Sequence, residues 1–203
     1  MRLLAIECAT EACSVALFEN GAAVDARHET LGRGHAERLI PMIAELPERG
    51  RADEILVSLG PGSFTGTRIG IASGRALGIA WSARVVGYPT LALVAAMAQR
   101  EVENEPVLVA MAGGHGEYFL QPFDAAGLPE GPHRSLLPEI AAGEHDYRLV
   151  AGSRAAALVE QRGFGTAIDI LPDAQFANLL PKTLITSDLR PIYGRPPDAR
   201  LPA

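Results

Sequence analysis

Apolar and polar positions follow a regular order over the first hundred residues. Residues 3–7 (Leu-Leu-Ala-Ile-Glu) and 14–19 (Ser-Val-Ala-Leu-Phe-Glu) are apolar runs of strand length. Asn20-Gly21 is a two-residue hairpin signal, and 22–28 continues as a third strand, so a three-stranded meander is predicted. After a glycine-rich loop at 32–34, residues 35–46 place Leu39, Ile43 and Leu46 at helical spacing, with Pro41 predicted to kink the helix. Residues 54–59 read as a buried strand, 85–87 as another, and 90–100 as a helix capped by Thr90. The predicted order is β-β-β-α-β-α-β-α.

The segment from Gly60 to Ala80 contains the strongest single pattern. After the turn Gly60-Pro61-Gly62, glycine recurs at every fourth position, at Gly66, Gly70, Gly74 and Gly78. Each glycine inside a helix costs about 1 kcal/mol relative to alanine, so the four give up roughly 3 to 4 kcal/mol of intrinsic stability. Close approach of another backbone offsets such a loss, because residues four apart share a face and glycine holds nothing away. Two readings follow: tight packing on the chain's own sheet, or a contact surface for another helix or subunit.

Charge rises over 101–106 and Pro106 stops the helix, which predicts a boundary between a lobe at 1–102 and a smaller one at 103–203. In the second half, 107–110, 118–123 and 147–150 read as strands, 124–127 as a turn and 153–161 as a helix. The proline-rich stretch from 180 is expected to run along the surface. No internal repeat or low-complexity tract is evident.

Composition narrows the function. A formal charge of -6 and a pI near 5.4 in 203 residues argue against a stand-alone sequence-independent nucleic-acid binder, so any RNA contact is expected to be shared with a partner. The amino-terminal apolar run is four residues before Glu7, too short for a signal peptide or membrane span, and a cytoplasmic location is expected. Cys8 and Cys13 are expected as small buried hydrophobes and not as a disulfide.

Ile6-Glu7-Cys8-Ala9-Thr10, Cys13 to Leu17, His35 to Pro41 and above all Gly60-Pro61-Gly62-Ser63-Phe64-Thr65-Gly66-Thr67-Arg68-Ile69-Gly70 together resemble the TsaB (YeaZ) family, and Pro191-Ile192-Tyr193-Gly194-Arg195 resembles its carboxyl-terminal segment. The resemblance implies an α/β fold of the actin-like ATPase (ribonuclease-H-like) class with two lobes. It also implies a role in forming N6-threonylcarbamoyladenosine at position 37 of tRNA. In that family the protein is a non-catalytic paralogue that pairs with the catalytic subunit TsaD, assembles further with the ATPase TsaE, and forms homodimers when TsaD is missing. tRNA is then met through the complex, with no membrane involved, and ATP or ADP with magnesium enters only in the assembled complex. The chain is short for the family, which suggests a trimmed second lobe.

An actin-like ATPase needs an acidic residue and free backbone amides at its first hairpin. Here the position reads Glu7-Cys8-Ala9-Thr10, without glycine, which leaves Glu7 and Thr10 as weak candidates for nucleotide or metal binding. The catalytic relative is expected to carry a His-x-x-x-His pair after the glycine-rich helix. The matching stretch 85–95 has no histidine, cysteine or carboxylate, and His28, His35, His115, His133 and His145 never pair four apart. No G-x-S-x-G or comparable nucleophile motif is present, Ser63 is expected as a helix cap, and a hydrolase is disfavoured. An Asp-Ala-Arg type segment usual in the second lobe is replaced by Ala110 to Phe119, whose glycines at 113, 114 and 116 predict a flexible loop.

The partner surface is expected on the two crossover helices. It comprises His35, Leu39 and Ile43 on the first helix, and Gly66, Arg68, Gly70, Ile71, Gly74, Arg75 and Gly78 on the second. Arg68 and Arg75 are read either as rim ion-pair donors or as solvated charges. The alternative function is a nucleotide-binding ATPase or sensor of the same fold acting alone.

Overall fold

The computed structural model describes residues 1–102 and 105–194. The predicted boundary therefore includes two residues, 103 and 104, that lie outside the described residues, as does the last residue of 191–195.

A five-stranded sheet opens the chain: β1 (Arg2–Glu7), β2 (Ala12–Glu19), β3 (Ala22–Thr30), β4 (Glu54–Ser58) and β5 (Arg84–Tyr88), in the order β3-β2-β1-β4-β5. The first three strands are antiparallel and β1, β4 and β5 are parallel. The hairpin turn carries positive φ at both Asn20 and Gly21, the backbone that an Asn-Gly pair favours. Helices α1 (His35–Ala44) and α2 (Phe64–Trp81) cross over one face, and α3 (Thr90–Glu101) lies on the other. Helix α1 runs through Pro41. The N-cap of α3 is Pro89, and Thr90 lies inside the helix with no side-chain cap, which corrects the expected capping role.

Alternation along the strands assigns each residue to one of two cores. Leu4, Ile6, Ile55 and Val57 point toward α1 and α2, whereas Ala5, Leu56 and Val86 point toward α3. Helix α3 is buried almost all round because a second sheet covers its far side. That sheet comprises β6 (Val107–Ala112), β7 (Tyr118–Phe123), β8 (Arg134–Leu136), β9 (Leu149–Ala151) and β10 (Thr166–Ile168), in the order β10-β9-β6-β7-β8. A short α4 (Pro138–Ala141) and α5 (Ala155–Arg162) complete it, with Leu158 packing on Leu108, Ala110 and Val150. Residues 113–117 form a tight turn closed by Gly113 N–H donating to Glu117 O at 2.7 Å, in place of the expected flexible loop.

The stretch from 180 runs along the surface, as expected, and is held there at several points. After a 3-10 helix at Ala174–Leu179, Thr186 exchanges backbone hydrogen bonds with Gly87 at 2.8 and 2.9 Å. Leu189 and Ile192 pack against the α1–α2 core, and Ile192 N–H donates to Leu59 O at 2.7 Å. Upstream, Asp173 pairs with His28 of β3 at 3.2 Å and Ala174 N–H donates to Ser14 Oγ at 2.9 Å.

The glycine stripe of α2 faces this same sheet. All four glycines are buried. A Cβ on Gly66 would overlap the carbonyl oxygen of Cys8, one on Gly74 would stand 2.5 Å from Val57 Cγ1, and one on Gly78 would collide with Val85. At Gly70 the nearest atom is Cys8 Cβ at 3.4 Å, an ordinary contact. The four sites therefore differ. Gly66→Ala meets unyielding backbone and is expected to lose about 2 to 3 kcal/mol in urea unfolding. Gly70→Ala gains about 1 kcal/mol of helix propensity against a mild contact and is expected to stay within about 1 kcal/mol of the parent. Equal losses at both positions would refute this account of the packing.

Candidate functional site

Two places can carry function: the turn joining β1 to β2, and the side of α1 and α2 that faces away from the sheet. The turn is the point at which a nucleotide-binding member of this architecture needs open backbone amides and an exposed carboxylate. In this chain several of its polar groups are engaged internally, while Glu11 stays at the edge of the open cleft. Ala9 N–H donates to Glu7 Oε1 at 2.7 Å, and Ala12 N–H donates to Thr10 Oγ1 at 3.2 Å. Ser63 N–H, at the start of α2, donates to Ala9 O at 2.6 Å. His35 Nε2 reaches Thr10 O at 2.9 Å and Ala12 O at 3.2 Å, and because both partners are carbonyls this nitrogen carries the hydrogen. Gly62 and Gly66 let α2 press against the turn, and Ser63 caps the helix by accepting from Gly66 N–H at 3.2 Å, as the sequence predicts.

Glu7 is fully buried, so it offers nothing to solvent as a metal or nucleotide ligand. Tyr88 Oη donates to its Oε2 at 3.1 Å. Burial pushes its pKa from the usual 4.5 to about 7, against the opposing effect of the hydrogen bonds from Ala9 N–H and the Tyr88 hydroxyl. Thr10 does line an open cleft of about 810 Å³ between the sheets, together with Phe64, Arg68, Met111, His115 and Tyr193. Phe64 and Tyr193 stack at 5.7 Å between centroids, the Arg68 guanidinium lies 3.5 Å over the Phe64 ring, and Arg68 donates to Tyr193 Oη at 2.7 Å. Among the described residues no cluster of three or more His, Cys, Asp or Glu side chains is placed to hold a metal, and no helix is long and apolar enough to cross a membrane.

Burial corrects the residue list for a partner surface. His35, Leu39, Ile43, Gly66, Gly70, Ile71, Gly74 and Gly78 are all covered by their own chain. Only Arg68 and Arg75 are exposed, and both reach the tail, Arg75 donating to Leu189 O at 3.3 Å. A large side chain at Gly70 or Gly74 would disturb the fold, so such variants do not report on a partner. The exposed side of the pair consists instead of Ile40 on α1 and Ala72, Ala76, Ile79 and Ala80 on α2, with Ile79 85% exposed. Alanine at 72, 76 and 80 also recurs every fourth position, so this second stripe was legible in the sequence beside the glycines. The Phe64–Arg68–Tyr193 contact was not, because Tyr193 lies more than a hundred residues from the other two.

Two mixed sheets, with α3 between them, define a protein of the actin-like, ribonuclease-H-like class. Ethanolamine utilization protein EutJ from Carboxydothermus hydrogenoformans shares that fold, with a TM-score of 0.52 at 11% identity over 89% of this chain and 90% of that one. A family model described as TsaD, tRNA N6-adenosine threonylcarbamoyltransferase, matches residues 26–127. The solved structure of YeaZ from Pseudomonas aeruginosa is 31% identical with a TM-score of 0.80, covering 95% of this chain and 99% of that one. The tRNA threonylcarbamoyladenosine biosynthesis protein TsaB of Escherichia coli is 37% identical over 149 residues, 69% of this chain. That of Haemophilus influenzae is 38% identical over 130 residues, 60% of this chain. The chain belongs to the TsaB (YeaZ) family. Its matched stretch spans 64% and 53% of the lengths of those two relatives.

The buried carboxyl generates a pH signature. With a folded pKa near 7 and an unfolded value near 4.5, Glu7 binds its proton more tightly in the folded state. Its contribution to stability is complete below about pH 4.5 and is lost as pH rises through about 7, a change on the order of 3 kcal/mol. Glu7→Gln keeps the size and stays neutral. The variant is therefore expected to gain on the parent protein between pH 5 and pH 8 in parallel thermal unfolding. A difference that stays constant over this range would show that the carboxyl does not titrate there.

Proposed function

We propose that this chain is a non-catalytic subunit of the tRNA N6-threonylcarbamoyladenosine machinery, pairing with TsaD through the outward side of α1 and α2. The observation that carries the reading is the solvent-facing row Ala72, Ala76, Ile79 and Ala80, small residues flanking one large apolar side chain left in water, with Ile40 of α1 likewise exposed. Small side chains let a partner helix approach closely and Ile79 supplies an anchor. The names of the relatives support the pathway. The engagement of the β1–β2 turn by its own chain supports a role without chemistry of its own.

On this reading TsaE joins the assembly, copies of this chain pair through the same side when TsaD is absent, and tRNA is bound by the complex. ATP or ADP with magnesium then acts only in the assembled state. The cleft holding Phe64, Arg68 and Tyr193 favours one other reading, a nucleotide-binding sensor acting alone. Micromolar binding of ATP with magnesium to the isolated chain in calorimetry would favour it.

Ile79→Arg tests the pairing directly. The position is exposed and arginine is a good helix former, so stability is expected to stay within about 0.5 kcal/mol of the parent. Affinity for TsaD is expected to fall at least about 100-fold, as for loss of an interface anchor, with tRNA modification by the reconstituted complex falling in step. Undiminished capture of TsaD by the folded variant would place the contact elsewhere.

A further inference from the structure

The last pair of the β1–β2 ladder is Glu7 with Ser14, and one step further Cys8 stands opposite Cys13. Both thiols are free and fully buried, and their sulfurs are 3.6 Å apart. A disulfide bond is about 2.05 Å long, so closing the gap requires side-chain movement of roughly 1.5 Å shared between two residues. Gly70 leaves space on one side, since even a Cβ there would be 3.9 Å from Cys8 Sγ. The turn between the two cysteines, Ala9 to Glu11, forms part of the open cleft, which brings solvent to within one residue of the pair.

We propose that Cys8 and Cys13 are a redox modification site, closing to an intrachain disulfide when a small two-electron oxidant such as hydrogen peroxide enters from the cleft. The hydrogen bond from Cys8 holds the Cys13 thiol below its ordinary range, whereas the same contact, together with burial, pushes Cys8 up. Cys13 is therefore the attacking sulfur. Its thiolate takes an oxygen from peroxide, forming a sulfenic acid and releasing hydroxide. The Cys8 sulfur then attacks Cys13 Sγ, the S–S bond forms, the S–O bond breaks, and the departing hydroxide takes up the Cys8 proton as water. Two thiols lose two electrons and two protons, and one peroxide becomes two waters. A dithiol reductant reverses the change.

The cysteines at 8 and 13 are the only two in the chain, which makes the test clean. The full-length protein is treated with hydrogen peroxide while folded, denatured in iodoacetamide and weighed by mass spectrometry. The expected product is monomeric, lighter by two hydrogens before alkylation, without alkylatable thiols, and restored by dithiothreitol. Cys13→Ala, treated identically, is expected to show no loss of two hydrogens. Two alkylatable thiols persisting in the folded protein, after a peroxide dose that oxidises the unfolded chain, would overturn the proposal. So would oxidation that ends in sulfinic acid or in a disulfide between two chains.

Discussion

The backbone contact between the start of α2 and the β1–β2 turn is the constraint on which the rest of the molecule depends. Gly62 and Gly66 have no side chain, so the carbonyls of Ala9 and Cys8 lie where a Cβ would otherwise be. The hydrogen bond from Ser63 N–H to Ala9 O closes that contact. Once α2 is seated, the turn cannot lift from the helix, Glu7 is enclosed beneath Tyr88, and Cys8 is held against Cys13. His35 fixes the turn from the other side, so α1 and α2 grip one short loop between them.

This contact explains the glycine stripe without a partner. Roughly 3 to 4 kcal/mol of helix propensity is surrendered over the four glycines. Burial of Ile55 and Val57 beneath the helix, and of the helix's own Ile71 in the same core, offsets a loss of this size, since each fully buried aliphatic side chain contributes roughly 1.5 to 3 kcal/mol. The helix thus has two lean faces with different tasks. The glycine face lets the sheet approach, and the alanine face opposite is open to another molecule.

The sequence was most legible where interactions are local. Asn20-Gly21, the apolar runs of β1 and β2, the Ser63 cap and the period of α2 are each set within a few residues, and each is found in the structure. Two strands of the second sheet, β8 and β10, are only three residues long, too short for periodicity to register, whereas β9 overlaps the strand read at 147–150 with a shift of one to two residues. The tail is held by Leu59, Gly87 and His133, partners dozens of residues or more away in sequence, so proline content indicated a surface course but not its anchors. For the proposed partner surface, the sequence named two helices but not the side of them that faces water. A four-residue period identifies a face, and only the position of the sheet tells which way it looks.

The tail links the cleft to the outer side of α2. Arg68 and Arg75 lie on the exposed part of that helix, yet both reach back to the tail, at Tyr193 and Leu189. Tyr193 in turn forms a wall of the cleft and accepts through its carbonyl from the side chain of His133, next to the second sheet, at 3.1 Å. Gly194 passes so close to Phe119 that no side chain fits there. One segment therefore touches the second sheet, the cleft and the edge of the helix face in sequence.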